Sequence, residues 1–344
     1  MNHERSPWTE TAVLSVAAIL LYHVGLLQLF FLVPMQILYL RRGEGAYKYG
    51  ALLFLGGVLA VKAVTLFTAQ FVGVEPLVVS LDFLVPLALL GALYTMNVTR
   101  VGQRGGIGQG RAISVASRAL AASIFGGLLS LPLVIYMVGT GSLVHLLRSQ
   151  IQLWQEMLQQ SAAQSGAAVE PGISPDQMAK VAIDIFLRFY LFGFFLMVYL
   201  DWYLGTQIGR RMTVAAATRE SGQGIRTVIG PDAGIRIPAY MLWLLLVSWG
   251  GVLASVFVGI GPFEYVVWNL AMIVGFLYAM QGFAIIQYLF RIKNVARGAR
   301  YLLLTGMIAL LFVPTANLLV LVSFPVLGVS ETWIHYRKLE RSEK

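Results

Sequence analysis

Apolar residues run in long blocks along this chain, and polar residues gather between the blocks. A helix needs about 20 apolar residues to cross the hydrocarbon core of a bilayer. The blocks Ala51–Val72, Leu77–Val98, Ser114–Val138, Ile183–Ile208, Pro238–Ile260 and Tyr265–Phe290 reach that length and predict six full spans. The two end blocks carry prolines. Thr11–Leu40 holds Pro34, and Tyr301–Ile334 holds Pro314 and Pro325. Proline breaks the backbone ladder and clashes with the turn before it. Each end block is therefore one kinked helix or a hairpin of two shorter ones.

One polar connection is long, residues 140–174. Its first half, "LVHLLRSQIQLWQEMLQQ", repeats apolar residues at helical spacing and predicts an amphipathic helix on the outer leaflet or over the bundle. Its second half, "SAAQSGAAVEPGISP", reads as a linker. Ser174 is a plausible N-cap for a helix opening at Pro175-Asp176.

Composition agrees with the pattern. The 344 residues are 58% hydrophobic and 12% charged, against about 25% charged in a soluble domain. The expected class is all-α: a polytopic membrane bundle of six spans between two proline-broken hairpins, forming a single transmembrane domain over 1–344. The absence of cysteine excludes disulfides and thiolate metal sites. Four scattered histidines predict no metal centre, and no cofactor is expected. The first ten residues lack the pattern of a removable signal peptide.

The net charge of +9 changes the picture through its distribution. Basic residues cluster at Arg41, Arg42 and Lys48; at Arg100, Arg104, Arg111 and Arg118; along the segment 209–237; and at Arg291, Lys293, Arg297 and Arg300. Clusters of this kind mark cytoplasmic loops rather than nucleic-acid contacts. The connections Gly73–Pro76 and Gly261–Glu264 have no basic residue and fall outside. The six spans alternate accordingly. The basic tail Arg337, Lys338, Arg341, Lys344, with Arg5 at the other end, predicts two hairpins and both termini in the cytoplasm of a bacterial inner-membrane protein.

Charges at bilayer depth cost about 2.5–3.5 kcal/mol each on insertion scales. They persist when paired or when lining a wet cavity. On this orientation Lys62, Asp82, Asp184, Arg188 and Glu264, with Asn269, share one depth in the outer half of four helices. They predict either a mixed-charge pocket open to the outside or an ion-pair network that fixes helix packing. Asp201, close to Arg210 and Arg211, is expected to reach the cytoplasmic interface, and His23 to make a helix contact. "GQRGGIGQGR" from Gly102 lacks the ending of a phosphate loop and reads as a connector. No nucleophile elbow or metalloprotease motif occurs, so no catalytic residue is assigned.

Three stretches carry a resemblance: "VPMQILYLRRGEGAYKYG" with Pro34, "WNLAMIVGFLYAMQGFAII" with Gln281 and Gly282, and "PVLGVSETWIHYRKL" with Gly328, Trp333 and Arg337. Together they resemble the YybS-like family of bacterial membrane proteins. That family is distantly similar to the S-components of energy-coupling-factor transporters, which bind a vitamin or metal from outside and dock on an ATP-driven module. The resemblance implies an outward-facing pocket and an energising partner. Two readings follow: a binding or transport subunit for a polar small molecule, or a scaffold holding a membrane partner. A third, an intramembrane enzyme, needs two of the carboxylates within reach of each other.

Overall fold

The computed structural model describes residues 7–68, 81–98, 114–165, 174–221, 237–310, 312–334 and 336. The turn at Gly73–Pro76, the connector from Gly102 and the motif residue Arg337 lie outside them. All regular structure among the described residues is helical, and five stretches are long and apolar enough to cross a membrane.

Helix α1 (Pro7–His23) is followed by a 3-10 turn (Gly25–Phe30) and α2 (Leu32–Thr68). Pro34 sits in the first turn of α2, where a backbone N–H has no helical partner to lose. α2 is two limbs joined at Gly43, whose φ of 84° and ψ of −170° are not helical. A continuous helix would hold Phe31 and Phe54 about 35 Å apart, yet their rings stack at 5.1 Å. The limbs therefore fold back on each other. Glycine takes a positive φ without the clash a Cβ would bring. The basic residues Arg41, Arg42 and Lys48 flank this reversal, as their clustering predicted. Glu10 of α1 ties the turn down, pairing with Arg41 and accepting from Arg42 Nε at 2.7 Å.

Helices α3 (Leu84–Val98) and α4 (Val115–Gly139) pack together. Fifteen residues of α3, the shortest of the expected spans, are described. α5 (Ser142–Ser165) is the expected amphipathic segment. It lies against α6 (Pro175–Ser221), and Arg148 pairs with Asp176 across that contact. Leu153, Trp154, Met157 and Leu158 stay on its exposed face. The Ser174 hydroxyl accepts from Gln177 N–H at 3.4 Å, so the expected cap forms.

α6 is 47 residues long, about 70 Å, and is the axis of the molecule. It touches α2, α3, α4 and α5 along its length, and also α8 (Phe263–Ile292), against which α7 (Tyr240–Phe257) packs as well. Phe54, Phe195, Tyr199, Tyr278 and Met35 form the fully buried centre. Leu20, Trp243, Val247, Phe257, Leu318 and Leu319 point outward and exposed, which suits a hydrocarbon solvent.

The C-terminal block breaks at 312–315, around Pro314, between α9 (Arg297–Leu310) and α10 (Ala316–Ser330). Its geometry is more specific than an outgoing and returning pair. α10 runs antiparallel to α8: a Cβ on Gly282 would meet Phe324 O at 2.1 Å, and one on Gly328 would meet Tyr278 O at 1.9 Å. By that register Ala316 stands beside the last turns of α8. Both ends of α9 are thus at one end of α8, so α9 lies across the bundle rather than through it.

Candidate functional site

The depth of the ionic residues can be read from glycine contacts. A Cβ on Gly126 of α4 would lie 3.4 Å from Ala88 O and 3.2 Å from Phe194 Cδ1. Ala88 and Phe194 are therefore level. Asp82 is six residues before Ala88 and Arg188 six before Phe194, each about 9 Å further out. The two groups share a depth. They do not share a face.

Lys62 and Asp82 pair with each other between α2 and α3. Lys62 is mostly covered, whereas half of the Asp82 side chain, 48%, is exposed. Asp82 O accepts from Val85 N–H at 3.2 Å, which fixes the entry to α3. On α6 and α8, Arg188 Nε meets Asp184 Oδ2 at 2.9 Å and Arg188 Nη2 meets Glu264 Oε1 at 3.5 Å. The guanidinium stands over the Trp268 ring, 5.5 Å from its centre. Tyr265 OH donates to Asp184 Oδ1 at 3.3 Å.

Asn269 is the most fully engaged of the six. Its Oδ1 accepts from Leu191 N–H at 2.7 Å and Phe192 N–H at 3.1 Å; its Nδ2 donates to Leu187 O at 2.8 Å and Tyr265 O at 2.6 Å. The amide is wedged between the two helices, bonding the α6 backbone at Leu187, Leu191 and Phe192 and α8's own at Tyr265.

A cavity of about 490 Å³ opens on the other side of α6. Phe186, Tyr190, Gly193, Phe194, Met197 and Leu200 line it. Asp184 and Arg188 stand about 160–200° around the helix from Phe186, on the opposite face. None of the six ionic or amide residues lines the cavity. Val85 and Leu89 of α3 do, and Asp82 is one turn outward of Val85, which puts the Lys62–Asp82 pair at the rim. Met137 and Leu143, at the junction of α4 and α5, close the outer end. Leu29 and Phe30 of the 3-10 turn form the floor, near Leu32 N–H and its partner Asp201 Oδ2 at 3.1 Å.

That last contact corrects the expectation for Asp201. Its side chain is fully buried rather than at the interface. The cause is the break before Pro34, which leaves the N-terminus of α2 inside the bundle. A carboxylate there meets an unpartnered N–H and the positive end of the helix dipole. Arg118, counted with the cytoplasmic clusters, is also buried and donates to Met96 O at 3.0 Å, at the C-terminal end of α3.

The resemblance motifs fall at packing seams. Gln281 Oε1 accepts from Ile237 N–H at 2.8 Å, and its Nε2 donates to Gly328 O at 3.0 Å. Gly282 and Gly328 let α8 and α10 meet backbone to backbone. Trp333 is exposed in the turn after α10. Reading the sequence missed a buried polar knot in which Gln36 Nε2 donates to Thr206 Oγ1 at 3.1 Å and Asn97 Nδ2 to Gln36 Oε1 at 2.7 Å. It also missed Ser130 and Tyr190. Neutral polar residues inside apolar blocks were the available signal. No cluster of metal-ligating side chains occurs among the described residues.

No curated protein and no solved structure matches the chain. A family model does, over residues 11–324, nearly the whole length and all of the site. With a bundle of apolar helices and that match together, the chain belongs to the family described as predicted membrane protein, DUF2232.

Proposed function

We propose that this membrane protein is a binding or transport subunit that takes a small molecule from the outer side of a bacterial inner membrane. The observation that carries the reading is the cavity of about 490 Å³ beneath the Lys62–Asp82 pair. Its volume is within the roughly 300–1,000 Å³ of ligand pockets. Lys62 and Asp82 face the ligand, and the half-exposed Asp82 is the first group it meets. The basic clusters support a cytoplasmic position for the N-terminus, the Gly43 reversal and the inner end of α8. An energising membrane partner is part of the proposal only as what the motifs' resemblance to the YybS-like family would imply.

Asp184, Arg188, Glu264 and Asn269 take the second reading, a framework that fixes α6 on α8. What favours it is mutual engagement: Arg188 pairs with two carboxylates, and Asn269 makes four hydrogen bonds.

The test is a melting screen of the purified protein against polar metabolites and amphiphiles, beside a Lys62→Gln/Asp82→Asn variant. A compound that raises the melting temperature of the wild type and not of the variant is expected. If none does so, or the variant responds equally, the binding reading is wrong.

A further inference from the structure

The cavity is not built for a polar guest. Its hydroxyls are already bonded: Ser130 Oγ donates to Gly126 O at 2.8 Å and lies 2.5 Å from Tyr190 OH, which reaches Gly127 O at 3.3 Å. A buried polar group left without a partner costs roughly 2–7 kcal/mol, and a buried water needs two to four polar partners. Neither finds them here. Hydrocarbon needs none.

The shape agrees. The wall on α6 runs from Phe186 to Leu200, about 21 Å of helix. That exceeds half of the roughly 30 Å hydrocarbon core, the reach of one chain from one leaflet. Leu143 stands above the slot and the 3-10 turn below it. Its flank is open to lipid, since Leu29, Phe30, Phe186 and Leu200 are all exposed. At its outer end one cation and one anion stand side by side, Lys62 and Asp82, with the carboxylate half exposed.

We infer that the ligand is an amphiphile with one long hydrocarbon chain in the cavity and a zwitterionic head at Lys62–Asp82. The chain enters sideways from the outer leaflet. The head's anion exchanges onto Lys62 and its ammonium onto Asp82, so the pair opens without leaving either charge unmet. This rests on the reading that the rim and cavity bind a ligand, and it names the ligand's class.

The experiment uses the full chain in nanodiscs, with a phosphatidylethanolamine carrying a photoactivatable diazirine at the end of one acyl chain. Cross-links are mapped by mass spectrometry. They are expected on the 3-10 turn and on α6 between Phe186 and Leu200. Gly193→Leu projects into the slot from a position where a Cβ meets nothing within 4 Å, and the variant is expected to melt near the wild type, which the same preparation checks. Cross-linking in that variant should fall at least tenfold. Competition by unlabelled lipids should rank phosphatidylethanolamine above phosphatidylglycerol and diacylglycerol, and Lys62→Gln/Asp82→Asn should erase the ranking. Cross-links spread over the outer surface of α1, α7 and α10, or unchanged in Gly193→Leu, would overturn the inference, as would a preference for the anionic or neutral lipid. Stabilisation through Lys62 and Asp82 by a chainless head such as phosphoethanolamine, with no gain from a chain, would sink the amphiphile and leave the binding reading standing. No response to either would remove both.

Discussion

Asn269 shows what one residue does in this bundle. Its carboxamide is a wedge against α6, accepting from Leu191 and Phe192 N–H and donating to Leu187 O. Interhelical hydrogen bonds in membrane proteins average about 0.6 kcal/mol, so its three to α6 predict a loss of about 2 kcal/mol for Asn269→Leu, read as a lowered melting temperature. A loss no larger than that of an outward-facing substitution such as Leu319→Ala would refute the wedge. Asp201 makes a sharper residue-scale prediction. Asp201→Asn keeps an oxygen for Leu32 N–H and should melt near the wild type. Asp201→Leu removes the cap and should cost about 0.5–2 kcal/mol. Equal melting of the two variants would mean that the contact does not hold α2.

At the scale of elements, the seam between α8 and α10 depends on two glycines with opposed backbones. Any Cβ at Gly282 or Gly328 runs into a carbonyl oxygen, which cannot swing away as a side chain can. Gly282→Ala and Gly328→Ala should each cost about 1–3 kcal/mol, the range of overpacked cores, and should expose the 312–315 break to protease first. Unchanged melting in both would contradict the close approach. This is also where the sequence was partly legible. Length and hydropathy gave the spans, because crossing a bilayer constrains them strongly. Pro34 and Pro314 gave the breaks. The charges gave a common depth, since rise per residue is fixed. They did not give a common face: Asp184 and Phe186 are two residues apart on α6 and point to opposite sides. Asp201 was misplaced because its partner is the backbone N–H of Leu32, 169 positions away, which carries no sequence signature.

At the scale of the molecule, α6 acts as a partition. One side of it is an ionic and amide framework with α8. The other side is an apolar slot with an ion pair at its rim. The chain lacks cysteine, so single-cysteine labelling can check the orientation. Ser142→Cys should react with a membrane-impermeant maleimide in intact cells, and Lys293→Cys only after lysis; the reverse pattern would invert the account. The partition itself is tested most directly by comparing two double variants, Lys62→Gln/Asp82→Asn and Asp184→Asn/Arg188→Gln, in one melting titration with a long-chain zwitterionic amphiphile. The account predicts that the first loses the ligand-induced rise in melting temperature while the second keeps it from a lower starting point. A rise that survives in the first and vanishes in the second would put the ligand on the wrong side of α6 and contradict the account.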